Sequence, residues 1–560
     1  MRQRINKRRR GRKERRGVLL LVVLVVVALM AIANLSYFDW TFAERKAADA
    51  SVRREQGYHA AESAVEMLRV YLSEDALTID QDGGWYENPA RFRAVLVADN
   101  PAAELRVRAA AVAPRWGTYQ QEGARFGLED DSGRLNLNTL LVTDTREEGA
   151  ARMQLMALPG MTESIADAIL DWMDEDDEIR SLGAEREYYS TLATPILPMN
   201  GPFTTLEQLL LVKGVTPELL WGLDQDRNHE VSPAEAAGVV LPVDNSTGEL
   251  SGGWASMLTL YSAEANVQPD GTPKINVNGD DLQTLHSEIE SVLGADAANF
   301  IVAYRQGGPE EDESANGEND EVEDEQPEEA QDVESFMSGG DLQMQEKSAS
   351  AINIDFNAPA AEAITDPLDL VGVKVRVVES GQLEPSIVNS PWQEGDTSIN
   401  QMVSILTTTD ATSIPGRVNV NQAPRALLMG LPGMPPNVPD MIIANRDPAA
   451  GSTRPERLNA VWLMTEGYLQ LDEMKALAPY VTGQGAVYRT QVVGGYEAGG
   501  PIRRLEVVLD ATTLPPRVVM RRDLSPLGAG FDPALTLVPE GAVPTTGTAT
   551  TPGAPGIAKN

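Results

Sequence analysis

Residues 224–235, DQDRNHEVSPAE, set oxygen-bearing side chains at alternate positions, the spacing a twelve-residue cation loop uses. Asp224 stands at position 1, Asp226 at 3, Asn228 at 5, the Glu230 carbonyl at 7, Ser232 at 9 and Glu235 at 12. Hard oxygen ligands of this kind suit Ca2+. Val231 is placed to anchor the loop inward. His229 occupies position 6, where glycine normally makes the sharp turn; histidine can adopt a positive φ there at some cost. Pro233, directly after Ser232, makes the exiting helix unlike that of a full EF-hand pair. The competing reading is a solvated acidic loop. A second cluster, Asp171, Asp174, Asp176, Asp177 and Glu178, ends a helical stretch ahead of Glu185. Carboxylates at a helix C-terminus face the negative end of its dipole, an unfavourable arrangement without a cation. Asp174, Asp176 and Glu185 are the candidate ligands there, against an exposed charged turn as the alternative.

Other chemistry is poorly supplied. The chain has no cysteine, which excludes disulfides and thiolate metal sites, and its three histidines, His59, His229 and His286, are far apart. Neither a phosphate-cradling G-x-x-x-x-G-K-[ST] nor a G-x-S-x-G elbow occurs. The expectation is a protein that is not an enzyme.

Two Pro-Gly turns, Pro159-Gly160-Met161-Thr162 and Pro432-Gly433-Met434-Pro435, sit within helical stretches and suggest helix-hairpin-helix elements. DNA-binding examples carry a second glycine and nearby Lys/Arg. Here Thr162 and Pro435 take that place, Pro435 removes an N–H donor, and the first hairpin leads into acidic residues. A helical packing module without nucleic acid is expected. The phrase basic–aliphatic–Asn–aliphatic–Asn recurs in GRLNLNTL (133–140), PKINVNGDDL (273–282) and GRVNVNQA (416–423), with a looser version in AINIDFNAP (351–359). In the first and third cases a Pro-Gly hairpin follows, so the layout reads as duplicated.

The elements that hold these residues are set by charge and hydropathy. The 560 residues are too many for one core, and the formal charge is −37. Residues 1–17 hold ten Lys/Arg against Glu14, whereas residues 309–335 hold fourteen Asp/Glu and no base. With both set aside the remainder is still strongly acidic, a surface that repels phosphate backbones. Val18 to Ala33 is uncharged and spans about 24 Å as a helix, just short of a roughly 30 Å hydrocarbon layer. Extension to the interfacial Trp40 closes that gap. The basic flank should stay cytoplasmic. From Phe42 to Leu72 there is no proline and one glycine, so the apolar run continues as one increasingly amphipathic helix. Three readings of the N-terminus compete: a secretory signal cut after Ala31-Ile32-Ala33, an uncleaved anchor, and a prepilin-type leader cut between Gly17 and Val18. The long helix after the apolar run favours the third.

On the basic leader ending RRG, the apolar helix and YHAAESAVEML, the chain resembles type IV pilin-like proteins. With FGLEDDSGRLNLNTL, DWMDEDDEIRSLGAEREYY, FTTLEQLLLVKGVTPEL and the closing YRTQVVGG, RRLEVVLD and PPRVVMRRDL, it resembles the K-type minor pseudopilins of type II secretion systems. Most such subunits carry glutamate as the fifth residue after cleavage. Val22 stands there instead, which suits a subunit with no partner above it, at the filament tip. The resemblance implies an α+β fold: a transmembrane and stalk helix, then a pilin-like α/β head interrupted by helical helix-hairpin-helix (SAM-like) domains. It also implies calcium in the helical part. The expected divisions are a leader (1–17), helix (18–74), first head strands (75–138), a helical domain (139–308), an acidic disordered linker (309–350), a second strand-plus-hairpin copy (351–482), C-terminal strands (483–539) and a flexible tail (540–560). Implied partners are I-type and J-type minor pseudopilins, other pseudopilins and the prepilin peptidase. The implied place is the inner membrane, single-pass, with the N-terminus cytoplasmic and the bulk periplasmic. A type IV pilus tip or adhesin subunit is the alternative, and a membrane-tethered DNA-uptake protein a more distant one.

Overall fold

The computed structural model describes residues 14–310, 345–377, 385–449 and 454–539. Most of the leader, the greater part of the acidic segment and the tail at 540–560 lie outside the described residues.

Helix α1 runs from Glu14 to Tyr71 without a break. Its first half is built from Leu, Val and Ala, and the large apolar side chains from Val18 to Phe42 are exposed. It is the one helix among the described residues long and apolar enough to cross a membrane. The second half is amphipathic. Ala60, Ala64, Leu68 and Leu72 fall on one face at a spacing of four, with Ala61 and Val65 beside them, and all six are buried. That stripe packs on an antiparallel sheet. Its strands are β1 (Val95–Ala98), β2 (Val107–Trp116), β3 (Gln121–Phe126), β4 (Glu129–Asp130), β5 (Val487–Tyr496), β6 (Arg503–Asp510) and β7 (Arg517–Asp523). The order is β1-β2-β5-β6-β7, with β3 on β2 and β4 on β5. Gly494 lets α1 approach β5, since a Cβ there would come within 2.3 Å of the Gly57 carbonyl oxygen. Mixed helix and sheet arranged in this way is an α+β fold.

Everything between β4 and β5 is an insertion into this head. Within it, each Asn-x-Asn phrase makes a two-residue parallel pair with a distant segment: Leu135–Asn136 with Leu258–Thr259, Ile275–Asn276 with Leu406–Thr407, and Val418–Asn419 with Val481–Thr482. In each phrase the first asparagine accepts the backbone N–H two residues on, at 3.1, 3.0 and 2.8 Å. The second asparagine then reaches a remote backbone. Asn138 exchanges two hydrogen bonds with Phe203, Asn278 does the same with Ile364, and Asn421 donates to the carbonyls of Arg457 and Gly483. The middle phrase therefore closes a loop as the other two do. The looser AINIDFNAP forms no strand pair: Ala349–Ala351 is a 3-10 turn, and no regular structure follows it to Pro359.

The divisions drawn from sequence need three corrections. Leu135–Asn136 pairs with Leu258–Thr259 rather than with the head, so the first helical unit begins ahead of residue 139. Residues 275–308 leave that unit. Val277, Leu285, Phe300 and Ile301 share a core with Ile364, Leu370, Trp392 and Trp462, whereas Leu155, Ile169, Tyr189, Leu220 and Trp254 form another. The described residues on both sides of the acidic segment, Phe300 and Ile301 before it and Ile364 after it, belong to the second core. The edges of that segment are ordered, because Pro309 bridges Val375 and Gln345–Lys347 pairs in parallel with Ser386–Asn389.

Candidate metal centres

The first centre follows the short helix Pro217–Trp221, which is capped by Thr216 and ended by Gly222 at φ 65. Asp224 then turns inward and is buried. Its two carboxylate oxygens accept the N–H groups of Asn228 at 3.0 Å and His229 at 2.9 Å, which curls the chain around it. Asp226 accepts from Asn228 N–H at 3.0 Å. Glu235 reaches back to accept from Asp226 N–H at 3.1 Å and from Ser232 N–H at 2.9 Å. One oxygen each from Asp224, Asp226 and Glu235 lies within 4.8 Å of the others. His229 takes φ 70, the left-handed conformation its position demands, and Arg227 takes φ 57.

The other three candidates in this loop are placed differently. The Asn228 side-chain oxygen accepts from Glu230 N–H, and its amide donates to Gly530. The Ser232 hydroxyl caps the helix Pro233–Gly238, with Glu235 completing a capping box. Glu230 is exposed, and its suggested ligand is the backbone carbonyl.

Burial, reinforced by Asp226 and Glu235, pushes the Asp224 carboxyl up to about 7. Burial also raises Asp226. It acts upward on Glu235 as well, but hydrogen bonds from Ser232 and Asp226 outweigh it and hold that group low. The loop is fastened to the head. Gln491 of β5 donates to the Arg227 carbonyl at 2.7 Å, Arg504 of β6 donates to the Asp226 carbonyl, and the His229 ring meets the Gln491 amide at 3.2 Å. Burial drives His229 down to about 3, so its ring is neutral.

The second centre lies at the end of the helix Glu163–Met173, which Thr162 caps at its start. Thr162, in the place of the hairpin's second glycine, therefore has a structural role. Asp171, Asp174 and Glu185 each bring an oxygen within 4.8 Å of the others. Asp176 stands apart: it accepts from Glu178 N–H in an exposed turn. The third carboxylate of this group is Asp171, one turn before the C-cap residue Asp174, rather than Asp176. Asp171 is fully buried and accepts from Ala184 N–H at 2.8 Å. Gly183 is required there, because a Cβ would fall 1.9 Å from the Asp171 oxygen. Arg180 donates to Asp171 at 2.9 Å and also to Asp174.

Glu185 is 1% exposed, and neither of its oxygens has a hydrogen-bond partner; one oxygen of Asp174 is likewise alone. Burial first, then the charges of Asp171 and Asp174, raise Glu185 to about 7. An ionised, buried and unpaired carboxylate is expensive unless it is paired or coordinates a metal. Acceptor-only oxygens from three carboxylates at each centre fit a hard divalent cation.

Residues 133–224 match the family model for type II secretion system (T2SS), protein K. No curated protein matches the chain. Among solved structures, the crystal structure of the GspK-GspI-GspJ complex from the enterotoxigenic Escherichia coli type 2 secretion system overlaps 84% of this chain and 99% of the compared chain. The identity is 9% and the TM-score 0.31.

Proposed function

Residues 133–224 carry the type II secretion system protein K family's domain, and from that premise we propose that this chain is a minor pseudopilin that initiates and caps the periplasmic pseudopilus. The carrying observation is the division of α1. Its first half exposes an apolar surface all round, and its second half is clamped to the head sheet through Ala60, Val65 and Leu68. A helix exposed in that way fits a bilayer before assembly and other subunits' helices after it. The chain sits in the inner membrane with residues 1–17 cytoplasmic and the head periplasmic, and I-type and J-type pseudopilins are its partners. Protein export across the outer membrane is what the assembly serves. Ca2+, held by Asp224, Asp226 and Glu235 and by Asp171, Asp174 and Glu185, supplies positive charge between carboxylates that otherwise repel. At the first centre this braces the insertion against β5 and β6.

Processing tests the assignment directly. The prepilin peptidase should cut after Gly17, so N-terminal sequencing of the mature chain should begin at Val18, and Gly17→Leu should leave the longer precursor. A mature start at Asn34 would identify an ordinary secretory signal and end the proposal.

Tip placement is tested at Val22, the fifth residue of that mature chain. Val22→Glu puts a carboxylate into the apolar half of α1, and an acidic residue at a membrane helix centre costs about 2.5–3.5 kcal/mol, less towards the interface. A subunit with no neighbour above offers no amine to offset this. Reconstituted pseudopilus initiation should therefore fall, whereas unchanged or better incorporation along the shaft would argue against the tip.

A further inference from the structure

From Asp174 to Glu185 the chain holds six acidic residues and one base, Arg180. The guanidinium of Arg180 sits at the second centre. Through Nη1 it donates to Asp171 Oδ1 at 2.9 Å and to Asp174 Oδ2. Among the described residues its Nε and Nη2 donate to nothing. Other nearby cations are engaged elsewhere. Lys213 donates to the carbonyls of Leu182 and Gly183, and Arg152 pairs with Glu163 and Asp167. Two carboxylates of the centre thus share one guanidinium. The third, Glu185, has both oxygens buried and unpartnered, as is Asp174 Oδ1.

The guanidinium is not what fastens the loop at 174–185. The Arg180 N–H bonds both Asp171 oxygens at 3.3 Å, and the Leu182 N–H bonds Asp167 at 3.1 Å. The Ser164 hydroxyl donates to the Leu182 carbonyl at 3.0 Å, and the Ala184 N–H bonds Asp171 at 2.8 Å. None of these bonds uses the Arg180 side chain. That side chain is 29% exposed, so a change of rotamer carries it into solvent. The first centre is built differently. Among the described residues its carboxylates accept only from neutral N–H groups, those of Asp226, Asn228, His229 and Ser232. A positive charge already seated on the candidate ligand oxygens is particular to the second centre.

On the reading of Asp171, Asp174 and Glu185 as a Ca2+ centre, we propose that Arg180 is its built-in competitor. The guanidinium occupies two of the three carboxylates, and Ca2+ binds when that side chain swings out to solvent. Both cations need the same oxygens, and like charges a few ångströms apart in a poorly solvated site repel strongly. The apparent affinity is then the intrinsic affinity reduced by the fraction of chains with Arg180 displaced. Arg180 therefore sets the calcium concentration at which the second centre fills, above the level the same three carboxylates would need alone. Glu185, which no donor serves while Arg180 is seated, gains its counter-charge in the calcium form.

The full chain in detergent micelles, stripped of metal with chelator, should be titrated calorimetrically with CaCl2. Arg180→Gln should tighten one of two sites by at least about tenfold, the factor for a guanidinium seated about nine-tenths of the time, and leave the other unchanged. Arg180→Lys, which keeps a positive charge, should tighten that site less. A side chain that merely held the loop predicts the opposite sign, a weaker site in Arg180→Gln. On the unaltered chain, phenylglyoxal labelling read by peptide mass spectrometry should mark Arg180 faster in CaCl2 than in chelator. Unchanged or weaker calcium binding in Arg180→Gln, equal tightening by Arg180→Lys, or labelling that calcium slows or leaves unchanged would each overturn the competitor. If Arg180→Gln does not fold, the labelling of the unaltered chain decides. Failure of both the unaltered chain and Arg180→Gln to bind calcium would overturn the calcium reading itself, and the competitor with it.

Discussion

Asp131→Ala should lower the unfolding free energy by about 3–5 kcal/mol, the range for breaking a buried ion pair from one side. Asp131 is fully buried in the turn that leads out of β4. One of its oxygens accepts from Arg489 Nε at 2.7 Å and the other from the Thr259 hydroxyl. Arg489 lies in β5 and also meets Glu506 of β6 at 3.0 Å. The group joins the head sheet to the first helical unit at the point where the insertion leaves the sheet. Burial acts against the charge on Arg489, but Asp131 and Glu506 outweigh it and hold the proton more tightly than usual. The same balance holds Glu506 down at about 2: burial acts upward, and Arg489 and Arg522 overcome it. Alanine at 131 leaves the guanidinium with one carboxylate fewer and Thr259 without its acceptor. Adding Arg489→Met should recover much of the loss, since both halves of the pair are then gone. Urea unfolding of the full chain in detergent measures both. A loss below 1 kcal/mol for the single change would show that the pair holds little.

Calcium should raise the melting temperature of the full chain relative to chelator. A ligand bound only by the folded state stabilises by about 2.7 kcal/mol per site at one hundred times its dissociation constant. Asp224→Ala with Glu235→Ala should remove the share due to the first centre. Glu185→Gln separates the second centre by a change of sign. In chelator it removes an unpaired buried carboxylate and should stabilise or leave the melting temperature unchanged. In calcium it removes a ligand and should destabilise. Identical melting with calcium and chelator would remove the metal from both centres.

What the sequence made legible was local. The unbroken helix α1 follows from a stretch with no proline and a single glycine, and β5, β6 and β7 follow from runs rich in Val and Leu between Gly and Pro. The Asn-x-Asn phrases stood out because asparagine caps its own turn. What each phrase pairs with was hidden, because two residues of parallel ladder 63 or more positions away leave no periodic trace. The middle phrase was harder still. Its helices Leu282–Leu293 and Ala295–Gly307 turn at Gly294, with φ 89, where the other two hairpins turn at a Pro-Gly. At the metal centres the residue types were readable but their burial was not. Asp171 and Asp176 are both aspartates in one acidic run, and only the end of the helix separates the buried carboxylate from the exposed turn.

The pairing of β2 with β5 has a kinetic consequence. Thr490 bonds the Val112 carbonyl across 378 residues, so the central strand of the head is made long after its neighbour. At about 5–20 residues per second, synthesis of the intervening chain takes roughly 20–80 s. The helical units close on their own contacts in that interval and can fold as they emerge. The stripe of Ala60, Ala64, Val65 and Leu68 on α1 cannot be covered by β5 until the last stretch of chain arrives. A nascent subunit thus carries an adhesive, membrane-proximal face for tens of seconds. Truncation just before residue 487, after the Val481–Thr482 pair, should yield folded helical units beside a head that never forms, and degradation directed at α1.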